Sequence, residues 1–364
     1  MRRAVELGEG VRRRTAPNPW VGCVLVRDGE IVGEGSTEPP GGRHAERVAL
    51  EAAGDRARGA TAYVTLEPCA HQGRTGPCVE PLIATGIAAV VIGVEDPDPN
   101  VSGAGVAQLR AHGIPVELGS CRDLVERSLA PYLHHRRTGR AYCVLKTAIS
   151  LDGRTAAADG SSRWITGPEA RADAHRLRAE SQAVVVGSGT ALADRPALTA
   201  RDTEPPLHQP RRVLLDARGR VTAEGPLFDA TLAPTLVITT DHAPAAARDA
   251  WTAAGAKVEV VGPGPAGQGV DLADVLRLLG HEGVLQALIE GGATVHGAFV
   301  AAGLANRMVA YIAPVLLGSG GRSALEWHGP ESITDAMRAT VIAVDLVGND
   351  LRIELDLPMN PQPA

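Results

Sequence analysis

Lysine is nearly missing from this 364-residue chain: of its 36 basic residues only Lys146 and Lys257 are lysine, and the other 34 are arginine. Where arginine is the default cation, a lysine marks a position that needs a compact ammonium. Aromatic residues are almost as scarce, with two Phe, four Trp and four Tyr, too few for the ladder of stacking platforms used by single-strand nucleic-acid binders. Positive charge is not in surplus either: the formal net charge is −6, which argues against a general nucleic-acid partner, whose binding rests on massed cations. No apolar run approaches the roughly 20 residues of a membrane helix; the strongest, over 82–94, is interrupted by Thr85, Gly86 and Gly93. The opening MRRAVELGEGVRRRT has charge without an apolar segment, so no secretory leader is visible and a cytoplasmic protein with no membrane partner is expected. Five cysteines (Cys23, Cys69, Cys78, Cys121 and Cys143) are odd in number and sparse for a disulfide framework, which points to metal binding or burial.

What is present is the alternation of short apolar runs with helical patterns that marks an α/β protein. With 44% apolar residues, the length suits about two domains, each able to bury a core. The pattern predicts a helix over 4–14, strands over 21–26 and 30–34 joined by the hairpin dipeptide Asp28-Gly29, a helix over 44–53, a strand over 62–66, a short helix from Cys78, a strand over 88–94, a helix over 103–112, a strand over 115–118 and a final helix over 123–137. The apolar pattern lapses at RRTGR (136–140), which sets the expected domains at 1–138 and 139–364. Beyond it, strands are expected over 141–148, 183–187, 212–215, 235–239, 257–261, 284–289 and 308–312, with helices over 168–179, 243–254, 271–279 and 292–302.

His44-Ala45-Glu46 is followed, after a strand, by Pro68-Cys69 and then Cys78. One imidazole and two thiolates suit zinc, and three protein ligands leave the fourth position open, as catalytic zinc sites do. Two thiolates cancel the ion's charge, so a positioned carboxylate must move the proton, and Glu46 stands where it is needed. Zinc deaminases have this arrangement as H-x-E followed by P-C-x-x-C, with the Glu as proton shuttle. Here eight residues separate the cysteines instead of two. The inserted AHQGRTGP offers His71 and Arg74 to an anionic substrate group, against the plainer reading of a solvated loop. Asn18, held between Pro17 and Pro19, could read a pyrimidine edge or simply cap its own turn.

In the second half a literal G-x-G-x-x-G at 262–267 is a poor phosphate cradle, because Pro263 and Pro265 lack N–H donors. Better strand-end candidates are VVVGSGTALAD (184–194), LIEGGATV (288–295) and LLGSGG (316–321), although packing explains any single glycine as well. Lys146 lies inside an apolar strand, so it is expected to face a ligand or to pair with an acid such as Glu290. Arg178 and Arg201 could hold a phosphate or be ordinary solvated cations.

The series PNPWVGCVLV, HAE, TLEPCAHQGRTGPC, EDPDPNVSGAG, LKTAISLDGRTA, SSRWITGPEARADAHRLRAE, VGSGTALAD and EGGATV resembles the bifunctional riboflavin-biosynthesis deaminase-reductase family over nearly the whole chain. The resemblance implies an N-terminal cytidine-deaminase-like α/β/α domain and a C-terminal dihydrofolate-reductase-like domain. It implies zinc on His44, Cys69 and Cys78 with Glu46 as shuttle, and NADPH lined by Ala148, Trp164, Thr190, Asp194 and the loop from Gly292. It further implies that Ser162, Arg178, Leu198, Arg201 and Glu290, with Lys146, contact a phosphorylated ribosylaminopyrimidine substrate, and that the chain pairs as a homodimer. Ser36 and Thr37 stand where the family has an aromatic and a His, Gly76 replaces a Pro, Arg195 an Asp and Ala217 a Ser. These departures leave open a specialised paralogue acting on a related pyrimidine. A polynucleotide deaminase and a non-catalytic zinc-bound scaffold are the rival readings; the acidic, aromatic-poor composition speaks against the first and the intact Glu46 against the second.

Overall fold

In the computed structural model, which describes residues 1–72, 76–99 and 101–358, the chain divides into two units, Met1–Arg140 and Ala141–Ala364. The first is built on strands β1 (Gly22–Arg27), β2 (Glu30–Ser36), β3 (Thr61–Leu66), β4 (Ala89–Val94) and β5 (Val116–Leu118), arranged β2-β1-β3-β4-β5. β1 runs antiparallel to β2 and β3, while β3, β4 and β5 are parallel. Asp28 and Gly29 turn the first hairpin with φ of 52° and 83°, the pair of left-handed conformations that two-residue hairpins favour.

The helix Ala45–Ala53 lies on β2 at backbone distance. A Cβ on Gly35 would come within 2.3 Å of the Ala45 carbonyl oxygen, and one on Gly33 within 2.3 Å of that of Ala49. Two glycines on one face of β2 thus bare the strand to the helix. So seated, the helix turns Glu46 inward to 3% exposure and has His44 as its N-cap residue.

The single helix expected over 123–137 is two, Arg122–Ser128 and Ala130–Thr138. The break falls just ahead of Pro131, whose ring and missing N–H interrupt a continuous helical ladder.

The second unit contains β6 (Tyr142–Ser150), β7 (Arg154–Ala156), β8 (Ala183–Gly187), β9 (Arg211–Leu215), β10 (Thr235–Thr239), β11 (Lys257–Val260), β12 (Gln286–Ile289), β13 (Arg307–Ala313), β14 (Arg322–Ser323), β15 (Thr340–Val347) and β16 (Asp350–Asp356). Nine form one sheet, β11-β10-β9-β8-β12-β6-β13-β16-β15, and β14 pairs with β7. From β11 to β13 the neighbours are parallel, and the terminal hairpin β15–β16 adds on antiparallel. The buried strands are near-continuous apolar runs, as parallel strands covered on both faces must be. Leu145, Val185, Ile238, Ile289, Leu279 and Phe299 meet in their core. β12 enters the sheet between β8 and β6, so the chain order reverses there, and in such sheets ligands bind beyond the carboxyl ends of the strands at that point. The helix Ser188–Asp194 and strands β7 and β14 to β16 are additional to the expected elements.

All five cysteines are free. Among the described residues no helix is long and apolar enough to cross a membrane.

The seat on β2 is directly testable. Gly35→Ala sets a methyl against helix backbone and should cost about 1–3 kcal/mol, the usual range for overpacking, read as a lowered urea midpoint; an unchanged midpoint would contradict the close approach.

Candidate active sites

In the first unit three chain segments deliver donors to one point. His44 precedes the helix Ala45–Ala53, Cys69 follows β3, and Cys78 is the N-cap residue of the helix Val79–Thr85. The His44 Nδ1 lies 3.2 Å from Cys78 Sγ and 3.6 Å from Cys69 Sγ, and all three donor atoms fall within 4.8 Å of one another. A tetrahedral zinc with ordinary ligand distances of about 2.0–2.3 Å requires N···S edges of roughly 3.6 Å, so the donor set fits zinc in kind and in spacing. Hydrogen bonding from Cys78 and His44 outweighs burial and brings the Cys69 thiol down to about 4. Sharing its proton with Cys69, and buried, Cys78 is pushed up.

The Glu46 carboxyl stands beside the two thiols. Burial raises its pKa first and the charge on Cys69 adds to that, while the His44 charge and, less, a Cys78 hydrogen bond oppose them. Glu67, two residues before Cys69 and 4% exposed, was not foreseen. Its carboxylate accepts the backbone N–H groups of Asp96 (3.3 Å), Gly103 (3.0 Å) and Val106 (3.1 Å), which locks the Pro68-Cys69 turn to the segment after β4.

Asn18 is half-buried ahead of β1, and His71 is exposed. Arg74 lies outside the described residues. Thr37 is fully engaged at the end of β2, its hydroxyl bonded to the Val21 N–H at 3.1 Å.

In the second unit the register pairs Ile289 of β12 with Leu145 of β6, so the next residues, Glu290 and Lys146, come out side by side at the reversal point. The expected acid partner of Lys146 is, however, clasped by another cation. Arg178 donates from Nε and Nη2 to the two Glu290 oxygens at 2.6 and 2.7 Å and from Nη1 to the Thr199 carbonyl at 3.0 Å. A guanidinium so occupied is a carboxylate clamp, so the partner the structure gives Arg178 is Glu290. Arg201, 56% exposed, retains the option of a phosphate. Burial alone would raise the Glu290 carboxyl, but Arg178 and then Lys146 hold it down to about 2. Burial likewise lowers the Lys146 ammonium, against the pull of Glu290, and Lys146 lies 5.8 Å from the centroid of the Tyr311 ring.

Two of the segments expected around a dinucleotide, those of Thr190 and Gly292, meet beyond β8 and β12. Gly187 and Gly291 both abut Val295, and Gly292 faces the Thr190 hydroxyl, 3.4 Å from an added Cβ. Gly292 caps the helix Ala293–Ala301 with no side chain over its first amides, an arrangement open to an anion. Trp164 is 69% exposed, with the Arg171 guanidinium 4.5 Å from its ring, and Arg163 bonds the Asp194 carbonyl at 3.4 Å. Ala148 is half-buried on β6 and Ser162 half-buried beside Trp164, whereas the Leu198 side chain is buried, with φ of 54°. The LLGSGG stretch is not a phosphate cradle: the amides of Leu317 and Gly318 already serve Asp152, at 3.1 and 2.6 Å.

Residues 1–94 match the cytidine and deoxycytidylate deaminase zinc-binding region, and residues 141–351 match the RibD C-terminal domain. The riboflavin biosynthesis protein RibD of Chlamydia trachomatis is 46% identical to this chain, covering 89% of it and 86% of that protein; RibD of Escherichia coli K12 is 41% identical, over 98% of each. The chain belongs to the RibD family. Acinetobacter baumannii RibD superimposes with a TM-score of 0.85 at 38% identity, over 99% of this chain and 98% of that one. A Thermotoga maritima diaminohydroxyphosphoribosylaminopyrimidine deaminase/5-amino-6-(5-phosphoribosylamino)uracil reductase does so with 0.84 at 32% identity, over 98% and 97%. As a RibD, the chain is a bifunctional deaminase and reductase of riboflavin biosynthesis, with a cytidine-deaminase-like zinc-binding region followed by a dihydrofolate-reductase-like domain. The stretch that matches the deaminase zinc-binding region contains all three convergent donors.

The Glu290 clamp carries a pH signature. Its carboxyl lies below the ordinary 4.5, at about 2, so the stability it contributes is present above the unfolded value and lost as pH falls toward 2. Glu290→Gln should flatten the stability of the second unit between pH 5 and 2, measured by urea unfolding across that range; a slope matching the parent would contradict the assignment.

Proposed function

We propose that the first unit removes the 2-amino group of 2,5-diamino-6-ribosylamino-4(3H)-pyrimidinone 5′-phosphate and that the second reduces the ribosyl group of the product to ribityl, with residues 1–138 and 139–364 as the two catalytic domains. The observation that carries this reading is the buried carboxyl of Glu46 beside a three-donor cluster of His44, Cys69 and Cys78. Those three residues would hold zinc, which supplies a Lewis acid that acidifies water. Glu46 takes one proton of the attacking water and gives it to the ring nitrogen as C2 becomes tetrahedral; it then takes the remaining proton of the new C2 hydroxyl and gives it to the amino group, which leaves as ammonia while the C2 carbonyl forms. Asn18 reads the pyrimidine edge, and His71 and Arg74 meet the anionic end of the substrate.

In the second unit NADPH would supply the hydride, held by Ala148, Trp164, Thr190, Asp194 and the Gly292 loop. Arg220, bonded to the Ser188 hydroxyl beside the end of β8, adds positive charge to that edge. The Arg178 clamp fixes the Glu290 carboxylate, so that Glu290 and Lys146 grip the sugar from two sides. Ser162 and Arg201 contact the rest of the substrate, and Leu198 does so through its backbone because its side chain is buried. The exposed Val341, Val344 and Leu346 on β15 support pairing of two copies through the second unit, and the work of the enzyme is cytoplasmic.

Glu46→Gln is expected to keep its zinc and to lose ammonia release by at least about 100-fold, the low end of general acid–base contributions; release at the parental rate would contradict the shuttle. Lys146→Met should abolish NADPH oxidation with the deaminated substrate while leaving ammonia release intact. NADPH turnover at the parental rate would remove Lys146 from the site.

A further inference from the structure

The residue after Glu46 has no part in the reaction just described. Arg47 reaches from its helix with Nη2 3.3 Å from the carbonyl oxygen of Pro77, the residue before Cys78. The N–H of that same peptide group belongs to Cys78 and donates to the Cys69 carbonyl at 2.9 Å. Both ends of the planar Pro77–Cys78 peptide are therefore tied, one to Arg47 and one to Cys69. Since the proline ring fixes φ at Pro77, the orientation of this plane is the remaining backbone freedom of the residue ahead of Cys78. Gly76 makes room for the contact: a Cβ there would lie 3.0 Å from Arg47 Nη2. The bond is charge-assisted, and polarising the carbonyl strengthens the N–H on the other side of the same peptide.

We propose that Arg47 is a positioning residue of the metal centre, which clamps the Pro77 carbonyl and so holds Cys78 Sγ where it completes the donor set with His44 and Cys69. Arg47 fastens the helix that bears Glu46 to the loop that bears Cys78, so the two halves of the centre keep one geometry. The inference rests on the reading of those three residues as zinc ligands, and the test separates the two.

The full chain is loaded with zinc, and transfer of the metal to excess chromophoric chelator is timed for the parent, Arg47→Met, Arg47→Lys and Gly76→Ala. Partners that orient metal ligands are worth about 10- to 100-fold in affinity, so Arg47→Met should release zinc at least about tenfold faster. Gly76→Ala, whose methyl crowds the guanidinium, should also release it faster, and Arg47→Lys should recover part of the loss. A merely structural role would lower the melting temperature of metal-free and zinc-loaded protein alike; a positioning role shrinks the gain that zinc brings. Parental release rates together with a parental zinc-induced gain in Arg47→Met would overturn the proposal, and should that variant not fold, Arg47→Lys and Gly76→Ala decide it in the same way. A parent chain that binds no zinc would instead overturn the metal site beneath it.

Discussion

Two sulfur atoms and an imidazole nitrogen within 4.8 Å of one another cannot all present lone pairs to the same point unless a cation stands between them, and the first unit is organised by that constraint. With protons alone the strain is divided unequally, Cys69 drawn toward thiolate and Cys78 held as thiol. A dication removes the conflict, because both sulfurs then bind as thiolates, Cys78 at the start of a helix where partial positive charge gathers. The glycines of β2 bring the Glu46 helix down, Glu67 locks the Cys69 turn, and Arg47 holds the Cys78 peptide. Each restrains one ligand-bearing segment, and the carboxyl that must exchange a proton is kept dry beside them.

The second unit applies the same economy with different groups. Lys146 and Glu290 are neighbours because β6 and β12 are in register, and the Arg178 clamp keeps the carboxylate charged where burial would neutralise it. A buried ion pair is weak evidence for stability. Its value here is geometric: a fixed carboxylate and a partly desolvated ammonium at a strand-order reversal, next to glycine-lined strand ends open to a nucleotide.

The chemistry of the first site was legible in the sequence because few residue types can ligate zinc, and His44, Glu46, Cys69 and Cys78 stand in a spacing that serves little else. The placement of Lys146 beside Glu290 was hinted at by scarcity, as one of only two lysines. Arg47, Arg178 and Glu67 were not, since arginine and glutamate are ordinary surface residues and only tertiary placement turns them into clamps. The glycine-rich segments misled in part. LLGSGG bends round Asp152, and VGSGTALAD contains a short helix, because glycine permits many conformations and specifies none. The hairpin β15–β16 escaped notice because β15 is partly exposed on both faces, so no clean alternation marks it.

The central claim is a metal held by one nitrogen and two sulfurs of this chain with one position left for a light atom. X-ray absorption at the zinc edge on the full-length protein tests it most directly. The account predicts one zinc per chain with two sulfur neighbours at about 2.3 Å and two nitrogen or oxygen neighbours at about 2.0 Å. Three or four sulfur neighbours, or no bound zinc, would contradict it.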